Sequence, residues 1–177
     1  MRAYWLSRIA AVLFGCTCGL SWAAPPAPGG NAASKTPPGI TLADKENIYE
    51  RVLRHMFEHN ESALQQNARV FCISFPDGAD PPSAFIARFK DNKIPVKPVS
   101  DCHVDGIKDG SGVRDKSNGE RGIIFRVDAI HWIDSKHPVV NGGYHEGNVS
   151  GSVNNYYLER KTSHWKVIKE DEVHVVS

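Results

Sequence analysis

The chain has 177 residues, with 21 lysines and arginines against 20 aspartates and glutamates, so its formal net charge is +1. That balance, with no basic cluster interleaved with aromatics, argues against nucleic acid or an anionic membrane surface as a partner. Four cysteines and 41% apolar residues fit a folded domain with a core of its own.

Arg2 and Arg8 flank the start of an apolar run from Ile9 to Leu20, and small residues follow at Ser21, Ala23 and Ala24. This is the order of a secretory signal, so residues 1–23 are expected to leave, with cleavage after Ala23. The run is too short to span a bilayer and is closed by Pro25 and Pro26, so no transmembrane segment is expected after processing. An alternative is lipoprotein processing before Cys16, since Leu13-Phe14-Gly15-Cys16 looks like a lipobox with a bulky Phe14. Cleavage after Ala23 predicts a periplasmic or secreted protein; a lipidated Cys16 would instead hold the domain on a membrane. Cleavage after Ala23 leaves 154 residues, and losing Arg2 and Arg8 leaves 19 basic against 20 acidic, a net charge of −1.

Residues 24–41, rich in proline, glycine and small side chains, are expected to be a disordered linker, with one α+β domain over residues 42–177. Ile48, Tyr49, Val52, Leu53, Met56 and Phe57 recur at helical spacing, and Thr41 with Asp44 forms a capping pattern ahead of them. "ARVFCISF" (68–75) alternates as a strand, with Phe71, Ile73 and Phe75 on one face and Val70 and Cys72 on the other. Asp80-Pro81-Pro82-Ser83 then predicts a cap for a second helix of about ten residues bearing Phe85, Ile86 and Phe89.

Cys72 and Cys102 are the pair left after processing. In an oxidising compartment a disulfide between them is the default.

Residues 103–121 are polar and glycine-rich and predict a mobile loop. "GIIFRVDAIHWID" predicts a strand with Phe125, Val127 and Ala129 on one face and Ile124, Ile130 and Trp132 on the other. "PVVNGGYHEG" predicts a strand bent or bulged at Gly142-Gly143. Gly147 to Gly151 reads as a hairpin loop, "SVNNYYLER" and "HWKVIKE" as strands joined at Lys161-Thr162-Ser163, and "VHVVS" as a last short segment. Helices first and a meander afterwards define an α+β class: an N-terminal helix and a short second helix on a curved antiparallel sheet.

The closing strands, "Y-x-x-G-N-x-S-G-S", "Y-x-L-x-R" and "W-x-V", after helix, strand and short helix, resemble the nuclear transport factor 2-like superfamily over roughly residues 42–177. The resemblance implies a cone, a bent sheet wrapped around a long helix with a pocket at the open end. His131, Trp132, Tyr144 and Tyr156 are the residues expected to line that pocket. No activity follows, because the superfamily holds enzymes, binding modules and immunity-type proteins.

His55-Met56-Phe57-Glu58-His59 is an H-x-x-E-H string on the first helix, the spacing of inverted zinc peptidases. Glu58, however, points to the solvated side, opposite the apolar face, so two surface-edge histidines are expected rather than a metal site. His103, His131, His137 and His145 lie near Asp101, Asp105 and Asp134 in the sequence, and in a cone pocket a histidine and an aspartate would serve as a general base pair. Their spacing matches no triad or metal pattern. Gly147-Asn148-Val149-Ser150-Gly151 places its serine one position late for a nucleophile elbow. Asp105, Asp109, Ser111 and Asp115 lack calcium-loop spacing and read as solvated. Asn60-Glu61-Ser62 and Asn148-Val149-Ser150 are glycosylation acceptors only in a eukaryotic host. No catalytic residue, metal or cofactor is assigned.

The expectation for function is an exported, non-enzymatic binding domain that engages a protein or small ligand in the envelope, such as an immunity or inhibitor protein against a toxin or hydrolase. The alternatives are a small pocket enzyme of the isomerase or dehydratase kind and a ligand-carrying envelope accessory protein.

Overall fold

Thr41 sets the start of the first helix. Its hydroxyl accepts from the Asp44 backbone N–H at 3.1 Å, while the Asp44 carboxylate accepts from the Thr41 backbone N–H at 3.0 Å. This reciprocal box satisfies donors that have no partner within the helix, and α1 runs from Leu42–His59. Ile48, Val52, Leu53, Met56 and Phe57 are buried along one stripe, as their spacing predicts. The computed structural model describes residues 35–60, 65–105, 112–147, 150–162 and 164–173. The signal and lipobox segment, most of the linker and most of "VHVVS" lie outside these residues. Among the described residues no helix is long and apolar enough to cross a membrane.

Strand β1 (Val70–Ser74) is buried along its whole length. Phe71 and Ile73 enter the main core beneath α1, while Val70 and Cys72 face a second cluster with Cys102 and Val113. The second helix is shorter than its composition predicts: α2 (Ser83–Ile86) is one turn and continues as a 3-10 turn over Ala87–Phe89. Asp80 does not cap it. Its Oδ1 accepts instead from the Ser100 backbone N–H at 2.9 Å, tying that segment to the chain ahead of Cys102. Phe85 and Phe89 are buried as expected, and Arg88 pins the segment to α1 through Glu46 at 2.6 Å and Glu50 at 3.2 Å.

β2 (Val96–Pro98) pairs parallel with β1, and β1 pairs parallel with β5 (Arg121–Asp134). All other pairings are antiparallel. β3 (Cys102–Val104) pairs with β4 (Val113–Asp115), β4 with β5, and the meander continues through β6 (His137–Gly147), β7 (Ser150–Lys161) and β8 (His164–Glu172). Among the described residues the result is a mostly antiparallel eight-stranded sheet with two α-helices, an α+β fold.

Two expectations need correction here. The stretch 103–121 is not all loop, because its flanks form the β3–β4 hairpin; residues 106–111, with Asp109 and Ser111, lie outside the described residues. Asp115 is not a solvated loop residue. It is 2% exposed, accepts from Lys97 Nζ at 2.7 Å and bonds the Ser117 hydroxyl at 2.7 Å. The Cys72–Cys102 disulfide, with Cα atoms 6.4 Å apart, fastens β3 to β1.

The second correction is one of phase. Phe125 and Val127 face the core, but between Val127 and Ile130 the β5–β6 register shifts. The extra residue on β5 inverts the alternation, so Ile130 joins the core and Trp132 packs against it, while Ala129 does not. The bulge therefore lies on β5, facing the predicted glycine pair on β6. Those glycines answer a close approach. A Cβ on Gly142 would stand 3.2 Å from the Tyr156 ring, and one on Gly143 would stand 2.1 Å from the Ser152 carbonyl oxygen.

α1 lies against β5, β6 and β8. Strands are about 4.8 Å apart, so α1 packs across the width of the meander from β5 to β8.

Candidate functional site

Residues directly paired across neighbouring strands share a face, and this rule assembles the site. Tyr144 pairs with Phe125 and Ser152 with Tyr144; Asn154 pairs with Gly142 and Glu172 with Asn154; Tyr156 pairs with Val140 and Glu170 with Tyr156. Phe125, Val140 and Tyr156 belong to the core beneath α1, so all these side chains project toward the helix. Near the end of β6, the start of β7 and the end of β8 the apolar residues give out, and the last turn of α1 closes over a gap. The result is a cleft of about 390 Å³ whose walls include Met56, His59, Tyr144, Asn154, Tyr156 and Glu170. A second cavity of about 540 Å³ adjoins it, sharing Tyr144, Gly151, Ser152 and Glu172 and extending to Arg126 and His145.

The polar groups of the cleft form a linked set. His55 Nε2 lies 3.0 Å from Glu170 Oε2, and the Asn154 amide donates to the other Glu170 oxygen. The Ser152 hydroxyl donates to Asn154 Oδ1 at 2.7 Å. Tyr156, 2% exposed, presents its ring to the edge of His55 at 5.8 Å. Burial, followed by the Glu170 charge and a hydrogen bond with Glu170, pushes the Tyr156 phenol well above its ordinary range. Burial also raises the Tyr144 phenol, reinforced by Glu146 and Glu172. Both tyrosines therefore stay protonated and act as hydrogen-bond donors with apolar faces. Glu146, 3% exposed, lies 3.5 Å from the amide of Asn60, which ends α1.

Of the four residues expected to line a pocket, Tyr144 and Tyr156 share this cleft. His131 and Trp132 lie elsewhere on the sheet. Trp132 faces the core and meets Trp165 at 6.2 Å, edge to face. His131 pairs with Val139 on the opposite face, its Nε2 buried with no hydrogen-bond partner among the described residues.

His55 and His59 stack at 4.1 Å at the mouth of the cleft, with Glu58 exposed on the far side of the helix. His59 Nδ1 donates to the His55 carbonyl at 2.9 Å. Among the described residues no three of His, Cys, Asp and Glu gather closely enough to hold a metal ion. The looser histidine set is dispersed: His103 pairs with Asp105 on β3, His137 with Asp134 in the β5–β6 turn, and His145 lines the adjoining cavity. Ser150 pairs with Gly147 to close the β6–β7 hairpin, whose loop residues 148–149 lie outside the described residues.

The residues missed in sequence were Asn154, Glu170, Glu172 and Ser152. The only signal for them was their alternation with Asn155 and Asp171, which marks the faces of a strand but not which face is enclosed. Comparison with family models, with curated proteins and with solved structures gives no match.

Proposed function

We propose that the protein is an exported binding domain, of the immunity or inhibitor kind, that engages a partner in the envelope through the cleft between α1 and the ends of β6–β8. The observation that carries this is the linked set His55–Glu170–Asn154–Ser152 beside two protonated tyrosines. A concave site with a few oriented polar groups and rigid aromatic walls is the usual form of a recognition pocket. Tyrosines lose little side-chain entropy on binding, which suits them to anchor a partner. The Cys72–Cys102 bond supports the export part of the proposal, because such bonds persist in oxidising compartments. The kinship to the cone-shaped superfamily belongs to the same proposal. Its support is the strand motifs and the placing of the cleft at one end of a sheet packed on the helix.

The runner-up, a pocket enzyme, draws on the His55–Glu170 pair beside Tyr156. It ranks second because Glu170 is already engaged by His55, Asn154 and Tyr156, and a phenol raised in this way makes a poor base.

Photo-crosslinking in the host envelope tests the proposal. A benzoylphenylalanine at Tyr144 is expected to capture one envelope component. The same group at Asn155, on the opposite face of β7, is expected to capture none. Equal yields from both positions, or none from Tyr144, would reject the cleft as the binding site.

A further inference from the structure

The cleft has a chemical bias that its role as a binding site does not by itself require. Glu170 and Glu172 stand on one face of β8, about 7 Å apart along the strand, and both line the cleft. Glu170 has His55 as its partner at 3.0 Å, whereas Glu172 has no salt bridge among the described residues. Among the described residues no lysine or arginine lines this cleft. Arg126 belongs to the adjoining cavity and pairs with Asp128 at 3.7 Å. Tyr144 and Tyr156 line the same cleft; the Tyr156 ring is buried, whereas the half-buried Tyr144 ring is available to a ligand, and an aromatic face attracts cations.

We propose that the cleft receives one positively charged group, a guanidinium or an ammonium, between the Glu172 carboxylate and the half-buried ring of Tyr144. The proposal rests on the cleft being the binding site and adds what it selects. A neutral polar group would leave Glu172 without a countercharge, and an anion would meet it with no lysine or arginine among the described lining residues. Burial first, and then the neighbouring glutamates, raise both phenols, so neither tyrosine adds a negative charge to the cleft. The cleft, at about 390 Å³, holds an arginine or lysine side chain with room for its stem against Met56.

The shared chemistry can come from a basic side chain of a partner protein or from a free small cation. The test therefore uses acetyl-Gly-Arg-Gly-amide and agmatine as probes, with acetyl-Gly-citrulline-Gly-amide as the neutral isostere of the peptide. Backbone resonances of the purified domain are followed by NMR at low and at physiological salt. The arginine peptide is expected to shift Tyr144, Ser152 and Asn154, to bind at least tenfold more tightly than the citrulline peptide, and to weaken as salt rises. Glu172→Gln, an exposed change at a strand end, is expected to weaken it five- to tenfold and leave the melting temperature unchanged. Tighter binding of the peptide than of agmatine supports a protein side chain as the source; the reverse supports a free cation. Equal binding of the citrulline peptide, no effect of Glu172→Gln, or no binding of either cation would overturn the proposal. If crosslinking from Tyr144 persists under any of those results, the cleft remains the binding site and only its cation selectivity falls.

Discussion

His55 on α1 and Glu170 on β8, 115 residues apart in sequence, meet at 3.0 Å. A second tie lies at the other end of the helix, where Arg160 reaches Asp44 at 3.3 Å and covers the Trp165 ring at 5.3 Å. About 17 Å of helix separates Asp44 from His55, and about 17 Å of strand separates Trp165 from Glu170. The two ties hold α1 along β8, and the cleft opens just beyond the His55 tie. Because His55 is partly exposed, His55→Ala is expected to cost only about 0.5–1 kcal/mol. It should nevertheless loosen the cleft, raising amide exchange at Asn154 and Glu170. His59→Ala, whose ring bonds only its own helix, is expected to stay within about 0.5 kcal/mol of wild type in urea melts.

The other tie is coupled to the helix start. Asp44→Ala removes the acceptor for the Thr41 backbone and the partner of Arg160 together. A loss of about 1–2 kcal/mol is expected, the range of a lost cap. Thr41→Ala should cost about 1 kcal/mol, and the double variant less than the two costs combined, because one box is removed twice. Additive losses would mean that the box is not one unit.

The Cys72–Cys102 bond spans a sequence separation of 30 and fastens the β3–β4 hairpin to the sheet. Cys72→Ala or full reduction is expected to destabilise the domain by about 2–5 kcal/mol. Alkylation of the native protein without reductant should label neither Cys72 nor Cys102.

Asp115 gives the acid dependence. The Lys97 hydrogen bond, then those from Ser117, hold its carboxyl at about 2 against an ordinary 3.8. A group lowered on folding contributes fully above its unfolded pKa and is lost as the pH falls through its folded one. The contribution should therefore be complete at pH 5 and fade between about pH 3.8 and 2. Asp115→Asn is expected to flatten the urea-midpoint slope in that window; an unchanged slope would contradict the assignment.

Gly143 tests the sheet itself. A methyl group 2.1 Å from the Ser152 carbonyl oxygen forces β6 and β7 apart, so Gly143→Ala is expected to cost on the order of 3 kcal/mol. Gly142→Ala meets the Arg126 carbonyl oxygen at 3.0 Å and the Tyr156 ring at 3.2 Å, milder contacts than 2.1 Å, and should cost less.

What was legible in the sequence was local. The stripe from Ile48 to Phe57 and the box at Thr41 describe α1 without reference to anything distant. The alternation in 70–75 separates Phe71 and Ile73 from Val70 and Cys72 onto the two clusters they occupy. What stayed hidden depends on partners far along the chain. Alternation is the same in parallel and antiparallel strands, so the pairing of β1 with β5 left no mark. The bulge after Val127 became visible only through its register with β6. Asp115 reads as a loop residue until Lys97, 18 positions earlier, is placed beside it. Tyr144 and Tyr156 were named only through the resemblance of the closing strands, in one set with His131 and Trp132, which lie outside the cleft. Glu170 and Asn154 were not named at all, because a polar strand end reads as solvated until α1 is known to overhang it.

The claim that the cleft is the binding site is tested most directly by closing it. Ser152→Trp places an indole in the space shared by the two cavities, on a strand face that Tyr144 already lines. The measurement is the affinity of this variant for the component captured from Tyr144, relative to wild type, by calorimetry. A loss of at least a hundredfold with an unchanged melting temperature is the expected result. An affinity within twofold of wild type would contradict the account.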